Sequence, residues 1–227
     1  MRYDCVVPAT FLARPNRFVA EVLLPEGEHI ICHVKNTGRC RELLVPGTRV
    51  WLEKSANPAR KTAYDLIAVE KGERLINMDA QAPNRVFHEW VVSGGVFGQD
   101  VSVKPEYRYG ESRLDFCLET ERGMHLIEVK GVTLEENGHA RFPDAPTERG
   151  VRHIRELQRA VENGIDAALF FVIQMENIQT LRPNDETHPA FGAALREAAS
   201  AGVRIMAWDC TVTPDMLAIC RQVPVLL

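Results

Sequence analysis

The hydrophobic pattern of this chain changes period once, near residue 80, and that change limits the fold more than any other feature. Before it lie short runs rich in β-branched and aromatic residues: Arg17 to Leu24, His29 to Val34, Arg49 to Glu53 and Tyr64 to Val69. Pro25-Glu26-Gly27, Pro46-Gly47 and Ser55-Ala56-Asn57-Pro58 separate them, and these residues form turns because proline presets φ and glycine tolerates positive φ. Several short strands at this spacing suggest a small barrel. From Pro83 onward helical and strand periods alternate. Asn84 is expected to cap a helix with Val86, Phe87, Trp90 and Val91 on one stripe, ending at Gly94-Gly95. Strands are expected at Ser112 to Leu118, Met124 to Val129, Ala167 to Ile173 and Val203 to Trp208, and helices at Thr147 to Asn163 and Pro189 to Ala201. Thr213-Pro214 reads as the start of a short C-terminal helix. The expected fold is thus an α/β (α+β) protein of two domains, a β-barrel over residues 1–80 and an α/β domain over 81–227.

At 227 residues with 45% hydrophobic content, the chain can bury a sizeable core, which excludes disorder as its main state. No apolar run nears the roughly 18 residues that a bilayer span needs, and no apolar leader opens the sequence, so a cytoplasmic protein without membrane contact is expected. The six cysteines lie apart, without a C-x-x-C pair, which points to reduced thiols and no zinc. The net charge of −4 is unevenly spread: residues 1–80 carry 12 Lys and Arg against 10 Asp and Glu, and residues 81–227 carry 15 against 21. A mildly basic barrel suits polyanion contact and an acidic second domain suits a carboxylate metal site, although an ordinary solvated surface gives the same split.

In Arg113-Leu114-Asp115-Phe116-Cys117-Leu118, period 2 turns Asp115 away from Leu114, Phe116 and Leu118. In Leu126-Ile127-Glu128-Val129-Lys130, Glu128 and Lys130 share one face. If the two runs pair, Asp115, Glu128 and Lys130 converge, which is the donor set that Mg²⁺ (or Mn²⁺) takes when water and phosphate fill the remaining positions. Such a site polarises a phosphoryl oxygen while the lysine orients the attacking water, so phosphodiester hydrolysis is the natural reaction class. By spacing alone, an exposed hairpin with an Asp and a cross-strand Glu-Lys pair fits as well. The surrounding α-β-β-α-β order resembles the core of the PD-(D/E)XK nucleases, with Leu114-Asp115 in place of their Pro-Asp.

A longer resemblance follows from Tyr109 to Phe116, Ile127 to Leu134 and Phe142 to Gly150, with His153, Glu156-Leu157, Asn36-Thr37-Gly38 and Pro46-Gly47. Together these resemble the sugar fermentation stimulation protein A family over nearly the whole chain. The resemblance implies an N-terminal OB-type barrel, a PD-(D/E)XK nuclease-like second domain, DNA as partner and a regulatory link to sugar metabolism. It also implies Glu89 as a further acid near the metal, although a solvated helix glutamate fits equally. Arg149 and His153, four apart on one helix, are expected to meet phosphate. In the barrel, Lys35, Asn36, Thr37 and Arg39 are expected to hold phosphate, with Arg14, Arg17, Lys54, Arg60 and Lys61 extending the track and Trp51 or Tyr64 available for base stacking. The leading expectation is a DNA-binding protein, largely indifferent to sequence, with a Mg²⁺-dependent nuclease site. A DNA-binding regulator without turnover, and an enzyme acting on RNA or nucleotides, share the same residues.

Overall fold

The structure, a computed structural model, describes residues 1–36, 38–98 and 100–227. Strands β1 (Val6–Asn16), β2 (Val19–Leu23), β3 (His29–Val34), β4 (Arg49–Lys54), β5 (Tyr64–Lys71) and β6 (Arg74–Asn77) form one sheet in the order β3-β2-β1-β4-β5-β6. A short parallel pairing of β3 with β5, at His33 with Asp65 and Val34 with Leu66, closes the first five strands into a barrel. Closure leaves no open edge between them. Phe11, Val22, Val34, Val50, Leu52 and Leu66 alternate inward and are fully buried.

Next come α1 (Ala82–Val92), β7 (Ser102–Tyr109), β8 (Ser112–Thr120), β9 (Gly123–Val132), β10 (Glu135–Glu136) and β11 (His139–Phe142). They are followed by α2 (Glu148–Glu162), β12 (Asp166–Ile173), β13 (Thr180–Pro183), α3 (Pro189–Ser200), β14 (Arg204–Thr213) and β15 (Met216–Gln222). The main sheet runs β15-β14-β12-β9-β8-β7, with β9, β12 and β14 parallel in its centre. Helices cover both faces, as buried parallel strands require. α1 lays Val86, Phe87 and Val91 against Phe116, Ile127, Val129 and Phe170, while Val151, Ile154 and Leu157 of α2 join Leu114, Leu126, Leu169 and Phe171 on the other face. The molecule is therefore an OB-type barrel followed by an α/β domain.

Three local expectations are corrected. Asn84 is not the cap of α1: Gln81 occupies that position, Pro83 sits in the first turn, and Asn84 lies inside the helix. The C-terminal segment forms no helix, because β15 pairs antiparallel with β14 from Thr213 opposite Met216 to Trp208 opposite Gln222. An extra strand, β7, stands between α1 and β8 at the sheet edge.

Candidate functional site

The β8–β9 ladder runs from Thr120 opposite Gly123 to Phe116 opposite Ile127. At the next residue a side chain takes over: Asp115 Oδ2 accepts the Val129 N–H at 2.8 Å, and Asp115 Oδ1 accepts the Asn84 amide at 2.9 Å. Burial first, and the nearby Glu128 charge second, push the Asp115 carboxyl above its ordinary value. Glu128, one strand over, is only 1% exposed. Its Oε1 accepts from both Lys130 Nζ and His153 Nδ1, while its Oε2 is buried with no hydrogen-bond partner. Burial penalises the Glu128 charge, yet the His153 hydrogen bond and the Lys130 charge outweigh that penalty and hold its pKa below the usual Glu value.

Behind Glu128 stands a chain of donors from α2. Arg149 Nε–H donates to His153 Nε2 at 3.3 Å. A guanidinium can only donate, so His153 accepts at Nε2 and carries at Nδ1 the proton that it gives to Glu128. Thr147 starts this helix by accepting the Gly150 N–H at 3.1 Å, which fixes the turn bearing Arg149 and His153. Asp115, Glu128 and Lys130 thus meet at the point where two strands diverge. Among the described residues no group of three His, Cys, Asp or Glu side chains stands close enough to hold a metal ion, so the protein offers two carboxylates there.

Residues 81–216 match the family described as "Sugar fermentation stimulation protein RE domain", and residues 12–78 match its N-terminal OB domain. The chain belongs to the sugar fermentation stimulation protein family. Homologues of that protein share 49% identity in Clostridium beijerinckii and 52% in Ruminiclostridium cellulolyticum, each over all of both chains. A third, from Desulfitobacterium hafniense, is 53% identical over 96% of this chain and 94% of its own. Among solved structures, that of Pyrococcus furiosus SfsA in complex with Ca²⁺ superposes with a TM-score of 0.87 at 28% identity, covering all of this chain and 98% of the other.

The remaining residues expected at the site fall elsewhere. Glu89 pairs with the Met1 amino group at 2.6 Å and with Arg85 at 3.7 Å, and the α1 residue that reaches Asp115 is Asn84, a neutral donor rather than an acid. Lys35 is enclosed by carboxylates, with Nζ 3.3 Å from Glu53, 3.3 Å from Asp79 and 3.8 Å from Asp65. Burial works against its charge, but Asp79, Glu53 and Asp65 prevail and raise its pKa. Its charge is balanced within the barrel by these carboxylates. Asn36 uses Oδ1 to accept the Gly38 N–H at 2.8 Å, and Arg14 donates to the carbonyls of Asn36, Gly38 and Arg39, so this loop is held by internal bonds. Arg39 itself is exposed, and Thr37 lies outside the described residues. Arg60 is spent on a two-pronged pair with Asp65 at 2.7 and 2.6 Å. Trp51 lies under the Arg49 guanidinium, 4.8 Å from ring centre. His153, expected at phosphate, is only 6% exposed and serves Glu128 instead. Sequence spacing placed Asn84 and His153 on the right elements; the signal for their roles, a polar residue facing a strand carboxylate, exists only once the elements pack.

Proposed function

We propose that this protein binds DNA without strong sequence preference and hydrolyses phosphodiester bonds with a divalent cation, Mg²⁺ or Mn²⁺, between Asp115 and Glu128. The observation that carries the reading is the Glu128 Oε2 atom, buried and unpartnered beside a second carboxylate. A buried carboxylate oxygen without a partner costs several kcal/mol, and a hard cation is the partner that best offsets this. Two carboxylates with a neighbouring lysine match the donor chemistry of the PD-(D/E)XK nucleases. The related Pyrococcus furiosus protein was solved in complex with Ca²⁺, another oxygen-seeking cation.

When bound, the ion supplies Lewis acidity toward a phosphoryl oxygen and lowers the pKa of a coordinated water. Asp115, tied to Val129 and Asn84, holds one donor on the sheet. His153 and Arg149 fix the Glu128 carboxyl so that Oε2 remains the free oxygen. Lys130 keeps Glu128 neutralised in the resting protein and supplies an ammonium that orients the attacking water or steadies the growing negative charge. This activity is linked to sugar metabolism on the strength of the family name alone.

A second reading, DNA binding without turnover, draws on the fact that both Asp115 oxygens already accept hydrogen bonds. Single-turnover cleavage of labelled duplex DNA with Mg²⁺ or Mn²⁺ separates the two. Cleavage by wild type, with Lys130→Ala slowed by about 100-fold or more while its DNA affinity is unchanged, supports hydrolysis. Wild-type binding with no cleavage in either metal leaves the non-cleaving regulator.

A further inference from the structure

α2 buries Val151, Ile154, Leu157 and Ala160, so the residues at the opposite angular positions must face solvent. Four of those are arginines, Arg149, Arg152, Arg155 and Arg159, and all four are exposed. Such a run within a domain that carries 15 cations against 21 anions is a local reversal of charge. Arg152 and Arg155 make no hydrogen bond or ion pair among the described residues. Arg149 spends only Nε, on His153, and Arg159 holds Glu156 at 2.8 Å. Arg113 of β8 adds a fifth guanidinium, whose pairing with exposed Glu106 at 2.9 Å contributes little in water.

These five arginines border an open cleft of about 450 Å³ whose lining includes His153, the residue bonded to Glu128. The acids around it are exposed Glu111, Glu106 already paired with Arg113, and buried Glu156 already paired with Arg159. By contrast, Arg14, Lys35 and Arg60 of the barrel are consumed by internal partners.

We propose that the arginine face of α2, with Arg113, seats the phosphodiester backbone of duplex DNA in the cleft beside His153, the partner of Glu128, so that the acidic domain rather than the barrel provides the main grip. This rests on the reading of the chain as a DNA-binding protein and adds the surface that does the binding. From Arg149 to Arg159 the helix rises about 15 Å, which spans roughly four phosphates of one strand at about 3.4 Å each along the duplex axis. Guanidinium forks match phosphate oxygens two at a time, a geometry that lysine lacks. A face built this way reads backbone and not bases.

The test is fluorescence anisotropy of the full chain with a labelled random-sequence duplex of about 20 base pairs, titrated at salt concentrations from about 50 to about 200 mM. Wild type is compared with the double variants Arg152→Gln/Arg155→Gln and Arg39→Gln/Lys61→Gln. Removing two phosphate contacts is expected to lower affinity about 10-fold or more at low salt and to flatten the log–log salt dependence by about 2. The barrel pair is expected to lose less affinity and to flatten the salt dependence less than the α2 pair, and a loss equal to or larger than that of the α2 pair overturns the claim that α2 provides the main grip. A mere loss of fold would not change the salt slope in that way, and both arginines are exposed and unbonded, so circular dichroism is expected to be unaltered. Wild-type binding with no change in the Arg152/Arg155 variant overturns this proposal alone. Displacement of the duplex by polyglutamate of equal charge, as readily as by unlabelled duplex, also overturns it. Absence of any wild-type binding at low salt overturns the DNA-binding reading beneath it as well.

Discussion

Glu128 shows how much a single buried charge depends on its neighbours. One oxygen is satisfied twice over, by His153 and Lys130, and the other not at all. Removing His153 would release the carboxyl to rotate and offer either oxygen, and partners of this kind typically change metal affinity by about 10- to 100-fold. We therefore expect His153→Ala to weaken Mn²⁺ binding by that factor in calorimetric titration. His153→Asn, whose amide N–H can stand where Nδ1–H stands, is expected to recover much of the loss, whereas equal losses in both variants would mean that the ring's bulk matters more than its hydrogen bond. Gly131, next to Lys130, poses a different constraint. A Cβ there would lie 2.5 Å from both Gln174 Oε1 and Pro83 Cγ, so β9 and the start of α1 approach each other too closely for any side chain. Gly131→Ala is expected to cost about 1 to 3 kcal/mol, read from urea midpoints at unchanged slope. Period-2 alternation correctly puts Glu128 and Lys130 on one face of β9, but it fails at Asp115, where Leu114 packs toward α2 and Phe116 toward α1, so the approach of Asp115 to Glu128 depends on that local break. Alternation says nothing of depth, and depth separates His153, buried on Glu128, from a surface histidine that meets phosphate.

Among elements, the best read from sequence were those whose local chemistry agrees with their packing. α2 carries its cap, its apolar stripe and its glycine stop in sequence, and it runs Glu148–Glu162 as expected with Thr147 before it. Thr147→Ala is expected to lower stability by about 1 kcal/mol by freeing the Gly150 N–H, with thermal denaturation as the measurement. Edge and irregular strands were not legible. β1 contains Pro8 and Pro15, each in a half of the strand that pairs with one neighbour only, β4 or β2, and β7, at the sheet edge, is mostly exposed and carries Lys104, Pro105 and Arg108, a composition that reads as loop. At the C-terminus, Thr213-Pro214 resembles a helix start, but Thr213 Oγ1 donates to Asp215 Oδ1 at 2.8 Å within a tight turn, and the strand that follows is taken up by β14. Tertiary pairing overrides a weak local preference in such cases.

At the scale of the molecule, the two domains are bolted together by polar contacts as well as by apolar packing. Gln174 donates to Asn77 Oδ1 at 2.9 Å and to the Asp79 carbonyl at 3.0 Å, and Glu135, only 4% exposed, receives Lys71 at 2.8 Å and Arg74 at 2.7 Å from the barrel. Burial opposes the Glu135 charge, but Lys71, the Gly138 N–H and Arg74 outweigh it, so its pKa lies below the ordinary glutamate value. A carboxylate whose pKa is lower in the folded than in the unfolded chain stabilises fully above the unfolded value, about 4.3, and loses that contribution as pH falls through the folded value. Acidification from about pH 5 downward should therefore loosen this junction, and the lowered Asp65 in the barrel adds loss in the same direction. Glu135→Gln keeps the shape and removes the charge. It is expected to lower stability at neutral pH by about 1 to 3 kcal/mol and to flatten the acid limb of the stability curve, so that the variant and wild type converge toward pH 3, roughly. Urea midpoints measured across that range test the idea. Curves that stay parallel, separated by a constant offset down to the lowest pH, would show that Glu135 holds the domains together by fit and not by charge.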